Sequence, residues 1–534
     1  MMTDFNLYGA LRAAFPSDLN AVAIETIGTD GGQCVTWQEL DQASARMANL
    51  LQSLDLPAAS RIAVQVDKSV EALVLYLATL RAGHVYLPLN TAYQSAEMTY
   101  FIENAEPAVV VCTPSSFGWL SKIAFRAGTH SVFTLGDDRS GSLLERAAHH
   151  STEHVPVPRS ADDLAAIVYT SGTTGRSKGA MLTHGNLLSN ALVLKDYWGW
   201  RTPEQGGDVL IHALPIFHVH GLFVAIHGAL INGSPMLWLN KFDPRTVIEH
   251  LPRATVFMGV PTLYTRMLAD AALTREQCSR MRLFISGSAP LLTDTFREWQ
   301  QRTGHTILER YGMSETIMLT SNPCMPDERH CGTDGLPLAE RRGGTVGFAL
   351  PGVGVRVVND RGVTVAAGEV GDIQVSGPNV FKGYWRMPEK TAEEFTADGW
   401  FRTGDVGRLD ELGYVTIVGR SKDLIISGGY NVYPAEIEGF INDMPGVAES
   451  AVVGVPHPDF GEVGVAVLIA RPGKMVDPSA VLATLKTTLA NFKIPKHCVV
   501  VTELPRNAMG KVQKNLLRDQ YRSLFVPPAA PTQG

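Results

Sequence analysis

From about residue 161 to 310, short runs of consecutive apolar residues alternate with stretches whose apolar positions return every three or four residues. The runs "AAIVYT", "DVLIHALPI", "PMLWL", "TVFMGV", "MRLFISG" and "TILERYG" predict buried strands. The stretches "NLLSNALVLKDYW", "LFVAIHGALI", "RTVIEHL" and "LYTRMLADA" predict helices between them. Asp243-Pro244 supplies an N-cap and a proline at the first helical position, and Pro261-Thr262 opens the next helix. Strand–helix alternation of this kind predicts parallel sheets covered by helices. Residues 30 to 112 repeat the rhythm, with "VTWQELDQASARMANLLQSL" and "EALVLYLATLRAG" as helices and "RIAVQV" and "VVVC" as strands.

After residue 340 the period shortens to two. "VGVRVVND", "GEVGDIQVSG" and "GRLDELGYVTIVGR" alternate apolar and polar positions between Gly and Asp turns, which predicts antiparallel hairpins. From Arg420 a compact α+β pattern runs to the end, where the Pro-rich "VPPAAPTQG" is expected to be disordered. A chain of 534 residues is too long for one hydrophobic core. The expected fold class is α/β: a large N-terminal domain, 1–419, of αβ-layered parallel sheets plus a small β-barrel-like part, and a small α+β C-terminal domain, 420–534. There is no internal repeat.

Composition narrows the function classes. Hydrophobic residues make up 45% and charged residues 19%, the balance of a globular enzyme rather than a disordered chain. A net charge of -7 gives no basic footprint for nucleic acid. The apolar run from Ala72 to Leu80 is about half a membrane span, and the N-terminus lacks the basic-then-apolar order of a secretory signal. Cys34, Cys112, Cys278, Cys324, Cys331 and Cys498 are scattered without a CxxC pair, so free thiols in a reducing, cytoplasmic setting are expected rather than a zinc site.

The stretch richest in chemistry is "YTSGTTGRSKGA", Tyr169 to Ala180, directly after a predicted buried strand. Successive backbone N–H groups at such a turn form a nest for phosphate oxygens, hydroxyls add donors, and Lys178 adds charge. The lysine spacing differs from the Walker pattern. The loop resembles the phosphate loop of the adenylate-forming enzymes: acyl-CoA synthetases, peptide-synthetase adenylation domains and luciferases. "ALPIFHVHG", "ISGSAPL", "ERYGMSE", "FRTGDVG", "GRSKDLIISGGYNVYPAEIE" and "PRNAMGKVQK" are similar to further motifs of that family, in the family's order.

The resemblance implies roles for particular residues. Thr170, Ser171, Gly172, Thr173, Thr174 and Gly175 would cradle ATP phosphates. Tyr311 and the backbone of Gly287, Ser288 and Ala289 would form the adenine slot, with Glu309, Arg310 and Gly312 also on the nucleotide. Asp405, with Arg420 nearby, would take the ribose hydroxyls, although an aspartate in a Gly-rich hairpin also suits a plain turn. Glu315 would hold Mg²⁺, and Ser314, where the family usually has threonine, would donate to the α-phosphate. Lys511, in a loop of small residues that would suit a solvated charge, would reach the reacting carboxylate and α-phosphate. Lys422 would be the hinge about which the mobile small domain turns. Ser427, Gly428, Gly429 and Tyr430 would line the path of the CoA thiol, and His218 and His220, with Met258 and Ser286, would border the acid pocket. The implied reaction is adenylation of a carboxylate followed by transfer to coenzyme A, with ATP, Mg²⁺ and CoA as cofactor and co-substrates.

Arg266 bears on which acid is used. If Thr262 caps its helix, Arg266 lies about 60° from Leu263 and about 100° from Met267, on the same broad face. A dicarboxylate needs a partner for its second carboxylate, and arginine pairs one bidentately. "MGVPTLYTR", "ALPIFHVHGLF" and "NVFKGYWRMPEKT" are similar to the malonyl-CoA synthetases of the family. The competing reading has Arg266 snorkelling towards Asp270. The expected function is therefore ATP-dependent malonyl-CoA synthesis, with methylmalonate as a further acid. The alternatives are a ligase for a short or aromatic monocarboxylic acid, or a non-catalytic adenylate-binding protein. "NPCMPDERHCGTDGLPLAERRGGTVG", 322–347, departs from the family pattern by its length and polarity.

Overall fold

A computed structural model of the chain describes residues 4–28, 32–170, 177–428, 430–507 and 510–525. The strand–helix alternation produces two large sheets. In the first, Ser131–Thr134, Val109–Cys112, Arg61–Gln65, Val85–Pro88 and Leu164–Thr170 run parallel in that spatial order, and Lys178–Thr183 adds an antiparallel edge. The second is nine-stranded. Its parallel centre is Leu308–Tyr311, Leu283–Ser286, Val256–Gly259, Leu210–His212, Met236–Trp238 and Val22–Thr26, with short antiparallel strands at both ends.

Burial explains the layering. Helix Val70–Arg81 is apolar all round and buried along its whole length, so it lies within the molecule rather than on its face. One apolar cluster joins side chains of this helix to both large sheets and to Val375 and Phe401. The latter belong to a four-stranded antiparallel sheet, Gly354–Val358, Gly371–Ser376, Phe401–Leu409 and Val415–Arg420, which the period-two pattern predicts. A separate five-stranded sheet follows from Ile425, covered by helices Pro434–Asn442, Pro478–Thr488 and Lys514–Tyr521. It has its own cores.

Two local departures from the sequence reading matter. The phosphate loop does not lead into a helix; the chain returns as the antiparallel strand Lys178–Thr183, and the helix starts only at His184, capped by Thr183. The polar segment 322–347 folds as a hairpin, Asp327–Cys331 with Pro337–Leu338. It is tied down by Tyr197, which donates to Asp327 at 3.0 Å, and by His330, which stacks on Phe348 at 4.1 Å.

The opposite, N-terminal edge of the nine-stranded sheet is locked by one buried ion pair. Asp208, with no exposed surface, accepts from Arg282 Nη2 at 2.5 Å, from the Arg201 backbone N–H at 2.8 Å and from Thr255 Oγ1 at 2.7 Å. Removing the guanidinium strands a desolvated carboxylate. Arg282→Ala is expected to lower unfolding free energy by ~3–5 kcal/mol, read from urea denaturation, without changing residues at the other edge.

Candidate active site

Parallel strands present their C-terminal ends together, and Met258, Ser286, Arg310 and the segment after His212 meet along that edge. Met258 and Ser286 are buried, and the Ser286 hydroxyl has no hydrogen-bond partner among the described residues. Strand Leu308–Tyr311 places its successive charges on opposite faces. Glu309 turns to the backbone N–H of Leu291, 3.1 Å away, and burial pushes its carboxyl up to about 8. Arg310 turns to the other side and packs on Gly287, where an added Cβ would lie 2.5 Å from its guanidinium carbon. A side chain there would force the guanidinium to shift.

Arg310 is the least satisfied charge of the site. It is 4% exposed, makes no salt bridge among the described residues, and its Nε and Nη2 have no hydrogen-bond partner there. Burial lowers its pKa to about 9, so it remains cationic at neutral pH. Beside it stand two uncharged histidines. Burial, then Lys511 and Arg310, bring His218 to about 3, and burial with the Arg310 charge also holds His220 well below its ordinary value. The His220 backbone N–H donates to His218 Nδ1 at 3.2 Å, which leaves the His218 proton on Nε2 as a free donor. His220 Nδ1 lies 3.4 Å from the Ser288 hydroxyl, and Ser288 holds a left-handed φ of 72°.

Arg266 lies elsewhere, and its expected place in the pocket wall is corrected. Helix Pro261–Leu268 buries Tyr264, Met267 and Leu268. Its rotation is set by Tyr264, whose hydroxyl donates to the Ile285 carbonyl at 2.7 Å and whose ring meets Trp299 edge-on at 4.9 Å. Arg266 is about 200° from both Tyr264 and Leu268 and so points outward. It is exposed, with its guanidinium 4.9 Å over the Phe242 ring. Asp270, its suggested partner, instead caps the Ala272 N–H at 2.8 Å.

The residues expected on the nucleotide side gather on the four-stranded sheet and beside strand Lys178–Thr183. Asp405 is 3% exposed; one oxygen meets Arg420 Nε at 2.7 Å and the other accepts the Tyr311 hydroxyl. Burial raises the Asp405 pKa, against Arg420 and the Tyr311 hydrogen bond. Gly312 is compressed against the Ile317 carbonyl, 2.1 Å from where a Cβ would sit. Glu315 is 5% exposed, and burial raises its pKa despite a hydrogen bond from Tyr384 at 3.0 Å. Ser314, Gly287 and Ala289 lie on the neighbouring turns, while Ser171, Gly172, Thr173, Thr174 and Gly175 lie outside the described residues. Thr170 and Lys178 flank that loop, with Thr170 Oγ1 3.4 Å from the Lys178 carbonyl.

Tyr384 lies in "NVFKGYWRMPEKT", a stretch whose family likeness implied no role for it. Its hydroxyl holds Glu315, and its ring lies 4.1 Å from Lys178 Nζ, so one side chain aligns a carboxylate and a phosphate-loop cation. Its sequence signal was an aromatic in "FKGYW" that the two-fold pattern leaves unused. Lys178 also pairs with Glu394 at 3.2 Å.

Lys511 faces this group from the last sheet's side. It keeps contact with water at the mouth of the cleft, yet protein crowds it closely enough to lower its pKa, with Arg420 adding to the effect and Asp405 and Glu315 opposing it. Arg471 on the same side bonds Asp294 at 3.3 Å. Lys422 sits in the turn Ser421–Asp423, where burial and Arg420 bring it to about 8. The hairpin of Ser427, Gly428 and Tyr430 is not brought in. No hydrogen bond or ion pair among the described residues joins it to the acid-side or nucleotide-side residues. Tyr430 stacks instead on Phe492 at 4.6 Å, and Gly429 lies outside the described residues.

Buried Glu315 and Asp405 thus lie close to Arg420 and Lys511, with Lys178 held beside Glu315 through Tyr384. Residues 12–385 match the AMP-binding enzyme family and residues 436–511 the AMP-binding enzyme C-terminal domain; the chain belongs to this family. It is 35% identical over 493 residues to the malonate–CoA ligase of Arabidopsis thaliana, covering 86% of this chain and 78% of that one. It is also 35% identical over 494 residues to a feruloyl-CoA synthase of Amycolatopsis sp, covering 92% and 95%. Among solved structures, ATP-bound MatB from Rhodopseudomonas palustris is 54% identical with a TM-score of 0.92, covering 98% of this chain and 100% of that one. The apo form of the same protein superposes less closely, at 0.81, with coverage of 98% and 100%.

Two outcomes follow from this geometry. Arg266→Ala is expected to change stability by less than ~1 kcal/mol and leave turnover unaltered, because an exposed cation–π contact is all it loses. Glu309→Gln is expected to gain stability relative to the parent as pH rises. The parent's carboxyl stays protonated when folded up to about 8 but ionises from the ordinary carboxylate range when unfolded, so its folded state weakens across that window. Urea titrations at pH 5 and pH 8 read the difference; an equal difference at both would contradict it.

Proposed function

We propose that this chain is an ATP-dependent malonate–CoA ligase, forming malonyl-CoA, AMP and pyrophosphate from malonate, ATP and CoA through a malonyl-adenylate. Arg310 carries the substrate assignment. A guanidinium buried without a carboxylate partner among the described residues, flanked by neutral imidazoles, suits a ligand that brings its own second carboxylate. Methylmalonate shares that group.

In the first step one malonate carboxylate oxygen bonds to the α-phosphorus of ATP as the bond to the β-phosphate oxygen breaks and pyrophosphate leaves. Lys511 offsets charge on the carboxylate and α-phosphate, Ser314 donates to the latter, and the loop with Lys178 holds the outgoing phosphates. Asp405 fits the ribose hydroxyls, since a carboxylate that accepts from Tyr311 and Arg420 has lone pairs to spare. The residues also fit Mg²⁺: Tyr384 takes one oxygen of the buried Glu315 carboxylate, which would hold the cation beside the phosphates. When bound, it neutralises phosphate charge.

In the second step a thiol displaces AMP. We place the body boundary near residue 420, with Lys422 as hinge and Gly428 and Gly429 on the thiol path. The structure's closer likeness to an ATP-bound relative, with Lys511 towards the site and the Gly428 hairpin away, supports this as the adenylating arrangement. No helix of the described residues is long and apolar enough to cross a membrane, and the six free cysteines suit a reducing cytoplasm. An aromatic monocarboxylic acid is the second reading, favoured by the likeness to the feruloyl-CoA synthase.

Pyrophosphate exchange across malonate, methylmalonate, succinate, butyrate, benzoate and ferulate separates the two; preference for an uncharged acyl group would overturn the malonate reading. Arg310→Ala is expected to lower kcat/KM for malonate by ~3–4 kcal/mol, several hundred-fold, while sparing butyrate. Lys511→Ala is expected to abolish exchange yet keep thioester formation from supplied malonyl-adenylate.

A further inference from the structure

His212 ends strand Leu210–His212 and is 1% exposed. Its ring stacks on Trp238 at 4.7 Å with the planes 12° apart. Its Nε2 lies 3.0 Å from the Gly221 carbonyl oxygen. A carbonyl only accepts, so Nε2 carries the proton and Nδ1, unpartnered among the described residues, is bare.

Gly221 is the second residue of the π-helical segment His220–Ile226, and π-helical turns recur at functional sites. A side chain at Gly221 would bring a Cβ 2.1 Å from the Pro215 carbonyl. The segment is therefore fixed by close contact with Pro215 and by a donated hydrogen bond from His212.

A second layer holds His212 in turn. Lys68, from the loop after strand Arg61–Gln65 in the other large sheet, donates to the His212 carbonyl at 2.9 Å and the Leu239 carbonyl at 2.5 Å. Its ammonium lies 4.4 Å from the centre of the Trp238 ring, and among the described residues it has no carboxylate partner. Burial first, and then this cation, work against charging the imidazole, whose Nδ1 would gain a proton with no acceptor among the described residues.

We propose that His212 is a positioning residue for the acid pocket: its Nε2–H, held in place by Trp238 and Lys68, fixes the π-helical turn that carries His220 and follows His218. This rests on reading those histidines as the border of the acid pocket. Its signature is a selective loss of acid affinity, because the Asp405 and Glu315 side is built on other strands.

The test compares His212→Gln, whose Nε2 reaches as far as the imidazole Nε2, with His212→Asn, which falls short, and His212→Leu, which has no donor. Exchange is measured with whichever acid the parent enzyme activates best, so failure of the malonate reading leaves the test intact. ATP binding is measured separately by equilibrium dialysis. We expect Leu and Asn to raise the KM for the acid about 10-fold or more with ATP affinity within about 2-fold, and Gln to stay within about 3-fold of the parent. If Leu does not fold, the Gln and Asn pair decides. Equal losses for Gln and Asn, or parallel losses of acid and ATP affinity, would overturn the proposal.

Discussion

A desolvated guanidinium without a counter-ion among the described residues is the constraint around which this site is arranged. Burying an unpaired charge costs several kcal/mol, and proteins relieve such a cost with a partner charge or a shifted pKa. Arg310 has only part of that relief: its pKa falls, but not far enough to discharge it at neutral pH. Its neighbours are arranged to tolerate it. Gly287 yields the space of a side chain, and the nearby imidazoles stay neutral rather than adding like charge. On the proposed reading a substrate carboxylate entering this pocket supplies the missing anion, so binding energy comes from correcting an imbalance that folding leaves in place.

The two edges of the nine-stranded sheet divide the work. At the N-terminal edge, Asp208 and Arg282 satisfy each other with backbone and hydroxyl help, and the frame is closed. At the C-terminal edge polar atoms of Arg310, Ser286 and His220 are left unmatched among the described residues. Buried unmatched groups of this kind are rare in folded proteins and each asks for a ligand, a water or a reason. Lys511 adds a further charge near Asp405 and Glu315, and on the proposed reading adenylation depends on how the small domain is turned.

Much of the frame was legible because its strands are buried on both faces and read as continuous apolar runs. The strand Lys178–Thr183 was not, because it starts with Lys-Gly and passes at once into the Thr183 cap; antiparallel return after a glycine loop leaves no periodic trace. The two arginines show the same limit more sharply. Eight residues of helix give two turns of pattern, and Leu263, half-buried, was an unreliable guide to its inner face, whereas Tyr264 fixed it through a hydrogen bond to another strand. Arg310 carried a clearer sign. Glu309 and Arg310 are adjacent charges inside a run that otherwise reads as core strand, where period two must send at least one of them into the interior. Motif likeness assigned Arg310 to the nucleotide, and only its unpaired nitrogens point to the acid.

The most direct measurement is a crystal structure with malonate and a non-hydrolysable ATP analogue bound together. The account predicts one malonate carboxylate facing the α-phosphate and the other within about 3 Å of Arg310 Nε and Nη2. A far carboxylate lying in water, or beside Arg266 over Phe242, would contradict it.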